Sequence, residues 1–172
     1  MIFTISMSEK KDPKLNTDNI METTEKTIEI LNDLIRINND RIAGYLKASN
    51  NTEITEADLK TLFHRMAEES RDYVEELAAE VISLGGTPAS DTTASGKLYR
   101  TWMDVKATFT GKDAHATLAS CEFGEDAAQR AYNDAMGDEL EPSVLGLVAR
   151  QKALLKGSHD LIKRYRDQFA EV

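Results

Sequence analysis

From about Asn19 to the C-terminus, apolar residues recur at steps of three, four and seven, and that periodicity admits one class of fold. The first series is Ile28, Leu31, Ile35, Ile42 and Tyr45/Leu46; the second is Leu59, Leu62, Met66, Tyr73, Leu77, Val81 and Leu84. A third runs through Leu118, Cys121, Glu125, Ala128, Tyr132 and Ala135. The fourth is Val144, Val148, Gln151, Leu155, Ser158/His159, Ile162, Tyr165 and Phe169. Each matches one face of a helix, and no segment alternates as a half-buried strand would. The spacing predicts an all-α chain of long helices, each burying one stripe against its neighbours.

Punctuation between the series sets the topology. Asn19 and Glu22 have the spacing of a capping box, which starts the first helix at about Asn19. Residues 1–18 then form a flexible leader ahead of a single domain over 19–172, with Met7 as an alternative start. Ser49-Asn50-Asn51-Thr52 ends the first helix, and the second follows Thr55 and stops at Gly85-Gly86. Asp113 can cap the third helix, and Pro142 suits the first turn of the fourth. Between the pairs lies the connection 85–112, polar at first, in which Leu98, Trp102, Val105 and Phe109 mark a short fifth helix ended by Gly111. Two short links make two antiparallel pairs, and the long connection has the length to cross back along the bundle.

A chain of 172 residues is about one domain long. Its formal charge of -9 and pI near 4.9 leave no basic surface for phosphates, so neither nucleic acid nor an anionic membrane is an expected partner. Cys121 is the single cysteine, which excludes an internal disulfide and suits the reducing cytoplasm. No run approaches the roughly 20 apolar residues of a membrane span, and the N-terminus lacks the pattern of a signal peptide.

Polar residues interrupt the stripes, and they are the candidate site. Glu125 points inward between Cys121 and Ala128, where an unpaired charge is too costly to persist. One compensation is a hydrogen-bonded polar layer of Asn38, Tyr73, Tyr132, Gln151 and Ser158. The other is an Fe or Mn ion held by Glu69, Glu122, Glu125 and His159. Within Cys121-Glu122-Phe123-Gly124-Glu125-Asp126, Gly124 costs about 1 kcal/mol against alanine. There Glu122 also faces Glu125 and Asp126 across one turn. Such local penalties are expected where a partner helix comes close or where carboxylates are needed. Cys121 reads as a buried filler, Trp102 as the anchor of the short helix, and His64 with Glu68 as a solvated ion pair. Gly157 reads as a close-approach or kink position.

Several of these residues also carry a likeness. They are Leu31-Asn32-Asp33-Leu34-Ile35, Asn38-Asn39-Asp40, Leu84-Gly85-Gly86-Thr87-Pro88, Trp102, the Cys121–Asp126 segment with Tyr132, and Gln151 with His159. On them the chain resembles, from about Thr23 to Phe169, a bacterial family of ferritin-like four-helix-bundle proteins known only as a domain of unknown function. The resemblance implies a ferritin-like bundle with one long crossover and no established activity. Di-iron bundles of this kind place a Glu-x-x-His pair on each of two helices. Here Thr61, Lys112 and Lys156 stand three residues before His64, His115 and His159, so the pair is absent. The expectation is a non-catalytic protein needing no cofactor; a role in stress response or assembly follows only from the kind of family. Two alternatives remain: an Fe- or Mn-binding protein or oxidoreductase with a degenerate carboxylate site, and an interaction module that forms a homodimer.

Overall fold

A computed structural model describes residues 13–92 and 113–170. Among them are four helices, α1 (Pro13–Ser49), α2 (Ala57–Ser83), α3 (Ala114–Gly137) and α4 (Pro142–Ala170), and no strand. The short helix expected around Trp102 lies outside the described residues.

The helix ends follow local chemistry, with one correction. α1 starts at Pro13 rather than near Asn19. Proline suits the first turn of a helix, and between it and Gly44, near the far end of α1, no glycine or second proline interrupts the chain. The hydroxyls of Thr23 and Thr24 donate to the carbonyls of Asn19 and Ile20 at 3.0 Å, so both positions are interior turns and no cap forms there. α2 stops as expected: Gly85 takes φ 82°, its N–H donates to Ile82 O at 3.0 Å, and that of Gly86 donates to Val81 O at 2.9 Å. A Cβ on Gly86 would stand 2.8 Å from Ile28 Cγ2, so this turn seats on α1 only because it lacks one. Asp113 caps α3 by accepting the Ala116 N–H at 2.7 Å.

Helix α1 packs on α2 and α3, and α4 packs on α3 and α2. Both non-consecutive contacts are antiparallel. From one end to the other, Thr24 meets Glu141, Asn38 meets Tyr132, Arg41 meets Glu125 and Asn51 meets Thr117. Likewise Glu76 meets Gln151 while Glu69 meets Ser158. α2 therefore ends at the opposite end of the bundle from the start of α3, and the connection must travel its length. Its first part does so along α1. Asn32 donates to Thr87 O at 3.1 Å and accepts the Ala89 N–H at 2.7 Å, Arg36 pairs with Asp91 at 3.1 Å, and Asn39 donates to Asp91 O at 2.9 Å. One long crossover between antiparallel pairs is the ferritin-like arrangement.

Two apolar clusters fill the interior. One gathers Leu31, Leu34, Leu77, Val144 and Leu155; the other gathers Leu59, Phe63, Met66, Leu118 and Ile162. Between them runs a belt of buried polar residues. The buried face of α1 includes Thr27, Leu31, Leu34, Ile35, Ile37, Asn38, Asp40, Arg41, Tyr45 and Ala48, with Ile42 only partly covered. Arg41 thus faces inward where the sequence pattern favoured Ile42.

Candidate functional site

All four helices supply the polar belt, and Arg41 is its hub. Its Nε and Nη2 donate to Glu125 Oε1 at 3.1 and 2.7 Å, and the Tyr45 hydroxyl donates to that same oxygen. Nη1 donates to Ser70 Oγ at 3.0 Å and to Asn38 Oδ1 at 3.4 Å. Nη2 also lies 3.6 Å from Glu69 Oε1, which accepts from Ser158 Oγ at 2.6 Å. The guanidinium stands over the Tyr45 ring, 5.8 Å from its centroid. A second chain of bonds leaves Asn38: its Nδ2 donates to Tyr132 Oη at 2.9 Å, and Tyr132 donates to Gln151 Oε1 at 2.7 Å. Gln151 Nε2 then donates to Glu76 Oε2 at 2.8 Å and to Tyr73 O at 3.3 Å. Glu125 Oε2 and the Tyr73 hydroxyl have no hydrogen-bond partner among the described residues.

Burial and charge oppose each other at this hub. Burial alone would lower the Arg41 pKa, but the Glu125 charge beside it reverses that, and the guanidinium stays protonated. Burial, reinforced by the Glu125 charge, pushes the Tyr45 phenol well above its ordinary range. Burial likewise raises Tyr132, against the Asn38 hydrogen bond. The Cys121 thiol is raised by burial and then by Glu125, which leaves it a packed, protonated side chain rather than a nucleophile.

The other acids of the Cys121–Asp126 segment turn toward α4. Arg166 pairs with Glu122 and Asp167, and its pKa is raised, foremost by the Asp167 hydrogen bond. His159 places Nε2 3.0 Å from Asp126 Oδ1 and Nδ1 3.1 Å from Asp160 Oδ1. Glu125 faces α1 while Glu122 and Asp126 face α4, and each acid meets its own basic group. The like-charge penalty that marks this segment in the sequence is offset in this way. At the surface of α2, His64 is exposed and Glu68 pairs with Arg71, so the expected His64–Glu68 pair is replaced by one with a permanent cation.

A ferritin-like fold raises the question of a carboxylate-bound metal, and the donor set answers poorly. Glu69 and Glu125 converge on one guanidinium nitrogen, with a positive charge already between them. Glu122 and His159 are engaged at the α3–α4 face. Among the described residues no three of His, Cys, Asp and Glu are grouped to hold an ion. The residues do not fit such a centre as they stand, and no chemical step through one follows. Arg41 escaped the sequence reading, although Leu31, Leu34, Asn38 and Tyr45 leave one inward position open at its number.

Comparison with known proteins agrees with this architecture. The family model described as Domain of unknown function (DUF2383) matches residues 26–138. No curated protein matches the chain. Among solved structures it is similar to the bacterioferritin-related protein of Bacteroides fragilis, described as a dodecameric thioferritin. The TM-score is 0.68 at 17% identity, over 90% of this chain and 95% of that one. It is also similar to a ferritin-like, diiron-carboxylate protein from Bacillus anthracis, with TM-score 0.57 at 16% identity over 87% and 96% of the two chains. Identities this low support the fold alone.

Proposed function

Because the chain belongs to the family described as Domain of unknown function (DUF2383) and has a ferritin-like fold, we propose that it keeps this bundle while an internal guanidinium takes the place of a central metal, and that it acts as a non-catalytic structural or assembly protein. One observation carries the reading: Arg41, buried at the centre, is shared by the two carboxylates a metal would need. Neutralising them from within the chain leaves the belt to fix the register of the four helices. Self-association into a homo-oligomer belongs to this proposal; the Bacteroides neighbour is described as a dodecamer.

The metal reading has an observation of its own, since Glu125 Oε2 lacks a partner among the described residues and could face an ion. Elemental analysis of protein purified without chelators separates the two. The guanidinium reading expects only traces of iron and manganese, with the fold retained in Glu125→Gln. Stoichiometric iron or manganese that is lost in Glu125→Gln would overturn it, and such a metal would also raise the melting temperature by mass action.

A further inference from the structure

Two glycines of α4 seat no neighbour among the described residues. Gly146 and Gly157 are exposed, and a Cβ at either would meet nothing within 4 Å. Gly157 is therefore not a close-approach position within the bundle, as its sequence context suggested. Glycine is the poorest helix former after proline, so retaining two on an open face disfavours the helix unless something uses the space. Ala149 and Ala153 fall on the same side by the helical period, and Leu145 and Leu154, 42% and 48% exposed, flank the strip. The cations beside it are already matched within the chain, Arg150 by Glu76 at 2.9 Å and Lys156 by Asp160 at 2.6 Å. The outward side of α2 is different: Asp58, His64, Arg65, Glu68, Asp72 and Glu75 make it a solvated face.

We infer that a second copy of the chain docks on this face, α4 against α4, antiparallel about a two-fold axis near Ala153. The inference rests on the self-association proposed above and names its surface. Charge selects both the occupant and the direction. Asp138 is matched by Lys26 at 3.0 Å, which leaves Glu139 and Glu141 as the acids immediately before α4, and Lys163 and Arg164 lie exposed near its end. An antiparallel mate sets the acidic start of each helix beside the basic end of the other, twice over; a parallel mate would set like against like. In that register Ala153 and Leu154 meet their own mates and Ala149 meets Gly157. Small residues along the seam let the two backbones approach closely.

Sedimentation of the full chain over a range of concentrations tests this. Wild type should associate, and Ala153→Arg, at an exposed position, should keep its helicity and melting behaviour while dissociating at least tenfold more readily. Arg164→Glu should weaken association, and adding Glu139→Arg should restore it. Gly157→Ala should raise the melting temperature of the dissociated chain yet weaken association, because a better helix former fills the seam. If wild type associates and Ala153→Arg has the same mass, this face is wrong while self-association stands. If wild type is monomeric at every concentration, both fail.

Discussion

Glu125 and Glu122 stand one turn apart on α3, carry the same group and each meet an arginine, yet they sit in different media. The side chains of Glu125 and Arg41 are 0% and 1% exposed, whereas those of Glu122 and Arg166 are 11% and 28% exposed. Removing an ion from water costs several kcal/mol, so each member of the buried pair depends on the other. At the rim, water can replace a lost partner, and such a pair contributes about 0–1 kcal/mol. The buried pair fixes how α1, α2 and α3 meet; the outer one adds a contact between α3 and α4 that the bundle can lose.

The largest effect expected follows from removing the hub. Arg41→Met leaves Glu125 buried without its cation and should cost about 3–5 kcal/mol in denaturant unfolding. Alkaline pH probes the same layer without mutation. Tyr45 and Tyr132 have pKa values raised by burial, so their contribution is complete below the ordinary phenol value of about 10 and is lost as pH rises through the folded values. Cys121 adds the same sign from about pH 9. Stability should therefore fall by about 1.4 kcal/mol per pH unit for each group held protonated, first from the thiol and more steeply once the phenols join. A stability profile flat from pH 9 to about 11 would show that these groups are solvated. Glu125→Gln keeps a hydrogen-bonding group and should cost less, about 1–3 kcal/mol. Arg166→Gln should cost no more than about 1 kcal/mol in the same assay, and a larger loss would mean that water does not replace the guanidinium beside Glu122.

The sequence made the bundle legible because its signals repeat. Four stripes, the Gly85-Gly86 stop, the Asp113 cap and Pro142 all point to one architecture, and the long 85–112 connection points to the crossover. The start of α1 was misplaced because Asn19 and Glu22 imitate a cap inside a stretch that can stay helical as far as Pro13. The polar belt was half legible. Asn38, Glu125, Gln151 and Ser158 stand out as polar residues on apolar stripes, while Arg41 was hidden behind Ile42, its apolar neighbour in sequence. Arginine inside a core is rare enough that periodicity alone assigns it to solvent. Its partner Glu125 held the missing information, because a buried carboxylate demands a cation and, among the described residues, no other arginine or lysine is buried.

A double-mutant cycle on Arg41 and Glu125, using Arg41→Met, Glu125→Leu and the pair together in equilibrium unfolding, measures that dependence directly. If the guanidinium is what compensates the central carboxylate, each single change is costly and the double change costs far less than their sum, a coupling of about 3 kcal/mol or more. Coupling below about 1 kcal/mol, no greater than that of an exposed pair such as Arg71 and Glu68, would show that something other than Arg41 holds Glu125.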